Sequence, residues 1–568
     1  MSIEKKYLKL LFVFLFCVFC YVFTSWFLTN ERHLYHCDLV EFNLFYNDYL
    51  SGLFIEPIET IKDFCNYVYN NNRTPAFCLF LIPFYPIFKA GRFSYMFLVE
   101  IVFMLPAMLL LMNIAIDDIL KEKDGKESIP FIALIISTLF FFPPVWHPVL
   151  NGIPDICGLP FILCAALLYF KNRLDSKTSF LTLILIGFCL YLSFYTRRWY
   201  AISIVVFILS VFIENFVLSS INFENFKNFA KKIAYTMLNL LIISLVVFVF
   251  AYAIQGGYLS KILETEGFER ELYIVDYNQW KYLFVENIGL ITLLLSIVGF
   301  VSFIKNSVVR FIFLNLFLFA FTYIVLMDNQ FIWINHFVYI ASFLSILVFL
   351  GMYKLSSMVP NKKLSSVLMF LFVAFNLYNF STCFVIQKPQ LVPQLFSGIT
   401  SYPQINPDYE KVKNLKEFFV EEFEKNRNLK VAQLGMHSSV GTWQFWSLDI
   451  ISKEFKNVFL FETLLDNEFQ GLEINADYII LINPLNVNFD EKNCRVLNST
   501  ANQFKNGTGI AKNYKLLNEF ELEYPQSTLK LFKKERNLTK KQIKEYLTPF
   551  YEYYPDWNDK EELKKLYR

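Results

Sequence analysis

The chain has 568 residues, 55% of them hydrophobic and 18% charged, and its mean hydropathy is +0.40. A soluble domain needs far less apolar surface for its core, so the composition excludes an ordinary soluble protein and points to a membrane. A net charge of +2 over this length leaves no basic footprint, which sets aside a nucleic-acid partner.

In chain order, apolar runs long enough to cross a bilayer core of about 30 Å fall at roughly 10–28, 93–116, 129–149, 153–170, 179–195, 199–219, 233–254, 288–304, 311–327, 337–353 and 364–386. The stretch from Ala76 to Phe88, broken by Pro83 and Pro86, reads as re-entrant or interfacial. Lys5, Lys6 and Lys9 hold the N-terminus inside, and alternate crossing then keeps the basic segments Lys121–Lys126, Lys171–Lys177, Lys227–Lys232, Lys305–Arg310 and Lys354–Lys363 cytoplasmic. The first run lacks a small-residue cleavage site and reads as a retained span.

This topology puts four longer features outside: a first loop (Asn30 to Arg92), a loop around Pro143 to Pro154, a loop at Ala251 to Val285, and the C-terminus. Beyond residue 387 the composition turns polar. Pro389, Pro393, Pro403 and Pro407 mark a linker. Short apolar runs at Leu429–Leu434, Val458–Phe461 and Tyr478–Ile482 predict buried strands, and Leu516–Phe532 a hairpin. Leu538 to Arg568 reads as a charged, aromatic helical tail. The expected fold class is therefore an α-helical polytopic membrane protein, about eleven transmembrane helices, with a C-terminal extracytoplasmic α/β domain. The expected division is 1–386 for the membrane domain, with an amphipathic or re-entrant outer loop at 30–92, then 387–410 for a linker and 411–568 for the α/β domain.

Chemistry is sought in the outer features. The first loop reads Tyr35-His36-Cys37-Asp38-Leu39-Val40-Glu41, continues through Asp48 and Gly52, and ends at Arg73-Thr74-Pro75. An acid just past the first span can act as general base on an acceptor hydroxyl. Asp38 is the first candidate and Glu41 the second, with Asp48 a further choice; solvated loop acids are the plain alternative. Asp155, after the Pro-rich Pro143–Pro148, can hold a metal, orient an acceptor, or cap a helix. His147 in the same loop leaves a divalent metal open; no other cofactor is implied. Arg197-Arg198-Trp199-Tyr200 sits at an outward turn against the positive-inside trend, which calls for an anionic group or for snorkelling to headgroups. Trp333 and His336 lie at another outward turn, as sugar or phosphate contacts or as interfacial aromatics.

Together these segments resemble the GT-C superfamily of integral-membrane transferases, which includes the protein mannosyltransferases and the lipid A aminoarabinose transferase. The resemblance is carried by an acid after the first span, Leu50-Ser51-Gly52 a dozen residues on, Asn72-Arg73-Thr74-Pro75, and the Pro-rich second loop before Asp155. The family pattern has two adjacent acids, whereas Leu39 follows Asp38 here. The resemblance implies a GT-C-like domain over 1–386 and a polyprenyl-phosphate sugar as donor. It also implies a lipid, glycan or protein acceptor, Asp38 or Glu41 as base, and Arg197 and Arg198 on the donor phosphate. A plasma or bacterial inner membrane would be the location. A transporter or flippase of lipid-linked sugars is the rival reading, although no inverted repeat or matched pair of broken spans is evident; a membrane-anchored sensor is another.

Cys17 and Cys20 form the only CxxC, inside the first apolar run with no zinc-spaced partner. Cys37 and Cys65 share the first outer loop and could pair in an oxidising compartment. Gly435-Met436-His437-Ser438-Ser439 matches no nucleophile or phosphate-loop pattern and reads as a plain turn. Sequons occur at Asn72, Asn379, Asn498, Asn506 and Asn537.

Overall fold

In the computed structural model, the chain is described except for residues 1–4, 33–37, 72, 90, 121–127, 222–225, 265–280, 282–284, 328–333, 387–393, 400–402, 404, 438–439, 441–457, 463–465, 467–468, 470, 472–473, 475, 486–492, 524–525, 560–562 and 565–568. Two units emerge: one of residues 1–29 and 41–403, the other of 30–40 and 404–568.

The first unit is helical. Helix α1 (Lys5–Asn30) has 26 residues, about 39 Å at the usual rise per residue. Phe12, Phe16, Cys20, Phe23 and Phe27 form its buried stripe, while Leu11, Leu15, Val18 and Val22 are exposed. A helix in water would carry polar residues on that outer face; an apolar outer face needs lipid. Helices α2 (Asp38–Ile55) and α3 (Pro57–Asn70) follow, then short turns to Phe88 that include α4 (Tyr85–Phe88). The next span, Arg92–Leu120, comprises α5 (Arg92–Val99), a π-helical turn at Glu100–Met104, α6 (Leu105–Asn113) and a second π-turn. Pro106 lacks the N–H that would close the turn ahead of it, and the wider turn accommodates its ring.

Helices α7 (Ile129–Phe140) and α8 (Pro143–Leu150) are bent by 44°, because Pro143 and Pro144 cannot continue the backbone ladder. Helices α9 (Leu159–Asn172), α10 (Phe180–Thr196), α11 (Tyr200–Ile221) and α12 (Phe226–Glu264) complete the middle of the unit. The outer loop expected from Ala251 is in fact helical as far as Glu264. Polar Gln255 and two glycines end the hydropathy signal there. The backbone breaks at Gln255 (φ −132°, ψ 24°) and resumes. The break is packed, since a Cβ on Gly257 would lie 2.6 Å from the Tyr69 ring and from Asn70 Oδ1 of α3.

Among the described residues seven helices are long and apolar enough to cross a membrane, or eight if the bent α7–α8 pair is one span, and Phe180–Thr196, Leu290–Phe303 and Ser307–Thr322 are shorter apolar helices. The helices Leu290–Phe303 and Val338–Ser357 meet backbone to backbone: a Cβ on Gly299 would fall 2.0 Å from Leu347 O, and one on Gly351 2.0 Å from Leu295 O. Asn379, in the helix Lys362–Phe384, is buried and accepts from the Ser397 amide at 3.0 Å. Its sequon is therefore used as a structural strut.

The second unit contains a five-stranded sheet in the order β2-β1-β3-β5-β4, from β1 (Val431–Leu434), β2 (Phe459–Glu462), β3 (Tyr478–Asn483), β4 (Tyr514–Glu523) and β5 (Gln526–Lys534). Strand β1 runs parallel to β2 and β3, while β5 is antiparallel to β3 and β4, with Ile480 opposite Leu531. All four β1 residues and the first five of β3 are buried, as central strands with both faces covered must be. The helix Tyr409–Lys425 presents Val412, Leu415, Phe419 and Phe423 to that core, at the spacing of one helical face. In the tail, the helix Lys540–Tyr553 starts with a capping box between Thr539 and Gln542.

Candidate functional site

The site lies in the membrane unit, around the tight turn between α10 and α11. Arg197 leaves α10 in an extended conformation (φ −154°, ψ 112°), and Arg197 and Arg198 are both buried, at 8% and 7% exposure. Charges this close to a bilayer need partners, and the two arginines differ in what they have.

Arg197 is neutralised. Its Nε donates to Asp155 Oδ1, and the other carboxylate oxygen meets His336 Nδ1 at 2.8 Å. The turn Pro154–Gly158 before α9 carries Asp155, and the short helical turn Ile334–Phe337 carries His336. Trp199 packs against the imidazole with ring centres 3.8 Å apart and planes tilted by 34°. The Tyr200 hydroxyl donates to the Asp155 backbone carbonyl at 2.9 Å, and the Arg197 guanidinium lies 4.6 Å over the Phe42 ring of α2. Asp155 makes no side-chain cap in its turn. The cap alternative therefore gives way to a carboxylate whose two oxygens are committed to Arg197 and His336.

Arg198 has no such counter-ion. Its Nη2 donates to the carbonyl of Val68 in the last turn of α3 at 2.8 Å, and its guanidinium lies 3.7 Å over the Tyr258 ring of α12. Nε and Nη1 are buried without a hydrogen bond, and no carboxylate among the described residues pairs with it. Burial pulls its pKa down to about 10, with Tyr258 opposing. It therefore stays charged at neutral pH.

Glu41 of α2 accepts from the Arg73 guanidinium and, at 3.2 Å, from the Tyr67 hydroxyl. Burial first and the Glu41 carboxylate second push Tyr67 up to about 12, so it remains a donor. The Thr74 hydroxyl reaches the Tyr195 carbonyl at 3.3 Å in the last turn of α10. The Arg73-Thr74-Pro75 segment thus ties the stretch between α3 and α4 to the arginine turn.

Asp38 opens α2, but its side chain lies outside the described residues, as do Trp333 and Cys37. Cys65 is exposed. His147 belongs elsewhere: its ring meets Asn151 at 3.2 Å, one turn on in the same segment. His336, 181 residues beyond Asp155, is the histidine that meets its carboxylate. Among the described residues no three His, Cys, Asp or Glu side chains converge as a metal group would. Sequence reasoning missed Phe42, Tyr67 and Tyr258, whose contacts are set by packing between distant segments; it named Trp199 in the arginine turn but not its contact with His336. Only Arg73 carried a signal, through its motif.

Apolar helices with apolar outer faces define an integral membrane protein. The chain is similar to ArnT from Cupriavidus metallidurans bound to undecaprenyl phosphate, at 9% identity and a TM-score of 0.44, covering 92% of this chain and 98% of that one. It is also similar to the Archaeoglobus fulgidus oligosaccharyltransferase tethered with an acceptor peptide, at 11% identity and a TM-score of 0.41, covering 93% of this chain and 74% of that one. Likeness at this level is one of outline. No family model and no curated protein matches the sequence.

Proposed function

We propose that the chain is a membrane glycosyltransferase that moves a sugar from a polyprenyl-phosphate donor to a lipid, glycan or protein acceptor at the outer membrane face. The observation that carries this reading is Arg198, a buried cation with two guanidinium nitrogens that make no hydrogen bond, beside an arginine that is already neutralised. A buried unpaired charge is costly, and guanidinium suits a phosphate oxygen. A polyprenyl chain keeps its phosphate at the bilayer surface, since leaving would expose a large apolar area.

In this mechanism an acceptor hydroxyl oxygen attacks the anomeric carbon while the bond from that carbon to the phosphate oxygen breaks. The lipid phosphate leaves with the electron pair, and Arg198 stabilises its charge. The hydroxyl proton passes to a carboxylate. Asp38 is the proposed base, because Glu41 is engaged by Arg73 and Tyr67. A single displacement inverts the anomeric centre. Asp155 and His336 hold Arg197, and through the turn they fix Arg198.

The test is sugar transfer or slow hydrolysis from radiolabelled polyprenyl-phosphate sugars by the purified chain, compared with Asp38→Asn and Arg198→Ala. Loss in both variants is the expected result. If no sugar in the panel is consumed while lipid-linked sugar crosses proteoliposome membranes, the chain is a transporter.

A further inference from the structure

Helix α3 divides its side chains into three sectors. At about 100° of turn per residue, Thr60, Phe64, Tyr67 and Val68 share one sector, and this is the one packed on the protein. Val68 is buried, Phe64 meets the Tyr49 ring of α2 with centres 5.4 Å apart, and Tyr67 meets Phe45 at 5.1 Å. Glu59, Lys62, Asp63 and Asn66 form a second sector, polar and exposed. Between the two lie Ile58, Ile61, Cys65 and Tyr69, largely apolar yet also exposed, Ile58 at 72%. The patch continues past α3. Phe54 and Ile55 are exposed at the end of α2, Phe54 stacks on Tyr85 of α4 with ring centres 5.2 Å apart, and Ile87, two residues on, is 75% exposed.

The attachment of this patch says what covers it. The Tyr46 hydroxyl of α2 donates to the Lys89 carbonyl at 3.0 Å, and Asn47 Oδ1 accepts from the Gly91 amide at 2.9 Å, immediately before the span Arg92–Leu120. Phe88 of α4 packs on Phe97 of that span with ring centres 5.4 Å apart. The patch is thus joined to the end of a spanning helix, where hydrocarbon gives way to headgroups. A helix with one apolar and one polar sector at that level lies along the bilayer surface. Glu59 and Asp63 outnumber Lys62, so anionic headgroups do not draw it in; apolar burial does. We propose that α3, with the adjoining ends of α2 and α4, lies in neutral lipid with Ile58, Ile61, Cys65 and Tyr69 among the acyl chains, and that this contact positions Arg198. The link is the Val68 carbonyl in the last turn of α3, which accepts from Arg198 Nη2 at 2.8 Å. This second half rests on the reading of Arg198 as the lipid-phosphate site.

The experiment places a nitroxide at Ile58→Cys or Asp63→Cys of the full chain, each with Cys65→Ser, in phosphatidylcholine nanodiscs; Cys65→Ser alone gives the background from other cysteines. The label at 58 should be relaxed by oxygen, which enters lipid, and shielded from a nickel chelate, which stays in water; the label at 63 should show the reverse. Equal exposure of both labels to nickel would put the face in water and overturn the proposal. Shielding at 58 from both reagents would mean that a second copy or another protein covers it, which also overturns the proposal. For the second half, Ile58→Asp combined with Ile61→Asp should weaken binding of undecaprenyl phosphate at least about tenfold, while Ile58→Leu with Ile61→Leu keeps wild-type affinity. Ile58→Asp alone serves if the pair folds poorly. Wild-type affinity in both aspartate variants, or equal loss in the leucine pair, would overturn the link to Arg198. If wild type does not bind undecaprenyl phosphate, the Arg198 reading fails and takes the link with it, whereas the nitroxides decide the lipid contact by themselves.

Discussion

Among the described residues the membrane unit contains two buried clusters of arginine and carboxylate, and they differ in a telling way. At one end of α11, Asp155 neutralises Arg197, while Arg198 is left without a carboxylate. Fourteen residues further along α11, about 21 Å at the helical rise, Glu214 has no exposed side-chain surface and meets Arg173 at 3.3 Å and Arg310 at 3.0 Å. It also accepts from the Tyr169 hydroxyl at 3.1 Å. In that second cluster each guanidinium has a carboxylate, and its work is to join α9, α11 and the helix Ser307–Met327. Buried charge alone therefore does not single out a candidate site; the difference is that Arg310 and Arg173 share a carboxylate and Arg198 has none among the described residues.

The largest effect should come from the satisfied cluster. Glu214→Gln strands two arginines and should cost about 3–5 kcal/mol of stability, read as a lowered unfolding temperature in detergent. A wild-type midpoint would break the comparison. Arg198→Ala should do the reverse: stability within about 1 kcal/mol of wild type, with donor turnover lowered about 100- to 1000-fold. Between these, Glu41→Gln should cost about 1–2 kcal/mol by weakening the bond from Arg73. Adding Arg73→Gln should then cost little more, and a double-mutant cycle with no coupling would remove Glu41 from the site.

The smallest effect concerns the second unit. There the Lys425 and Tyr478 hydrogen bonds hold the Glu422 carboxyl down at about 2, below the unfolded value of about 4.3. A depressed carboxyl stabilises the fold above its unfolded value, and that contribution disappears as pH falls through about 4 towards 2. For so accessible a pair it should stay at or under about 1 kcal/mol. A Glu422→Gln variant that keeps the full acid sensitivity of wild type over this window would exclude the assignment.

Much of the architecture was legible in the sequence. The α1 stripe, the α7–α8 bend at Pro143-Pro144, strands β1 to β3 and the final hairpin all follow from local apolar periodicity and from proline chemistry, which act within a few residues. Helix α12 beyond Gln255 was not legible, because its backbone is stabilised by α3 packing on Gly256 and Gly257 and not by its own hydropathy. The arginine turn stood out through its charge, and Asp155 through its loop. Their union with His336, Trp199 and Phe42 did not, since those partners come from separate segments and no spacing rule links them.

The close approach of Leu290–Phe303 to Val338–Ser357 has an evolutionary corollary. Each glycine lies against the other helix's backbone, so a methyl group at either position collides with a carbonyl that cannot rotate away. His336 sits just ahead of the second helix. Drift at Gly299 or Gly351 should therefore be punished through His336 and Asp155, at positions that never touch a substrate. Descendants that keep this seam are expected to retain glycine at both places.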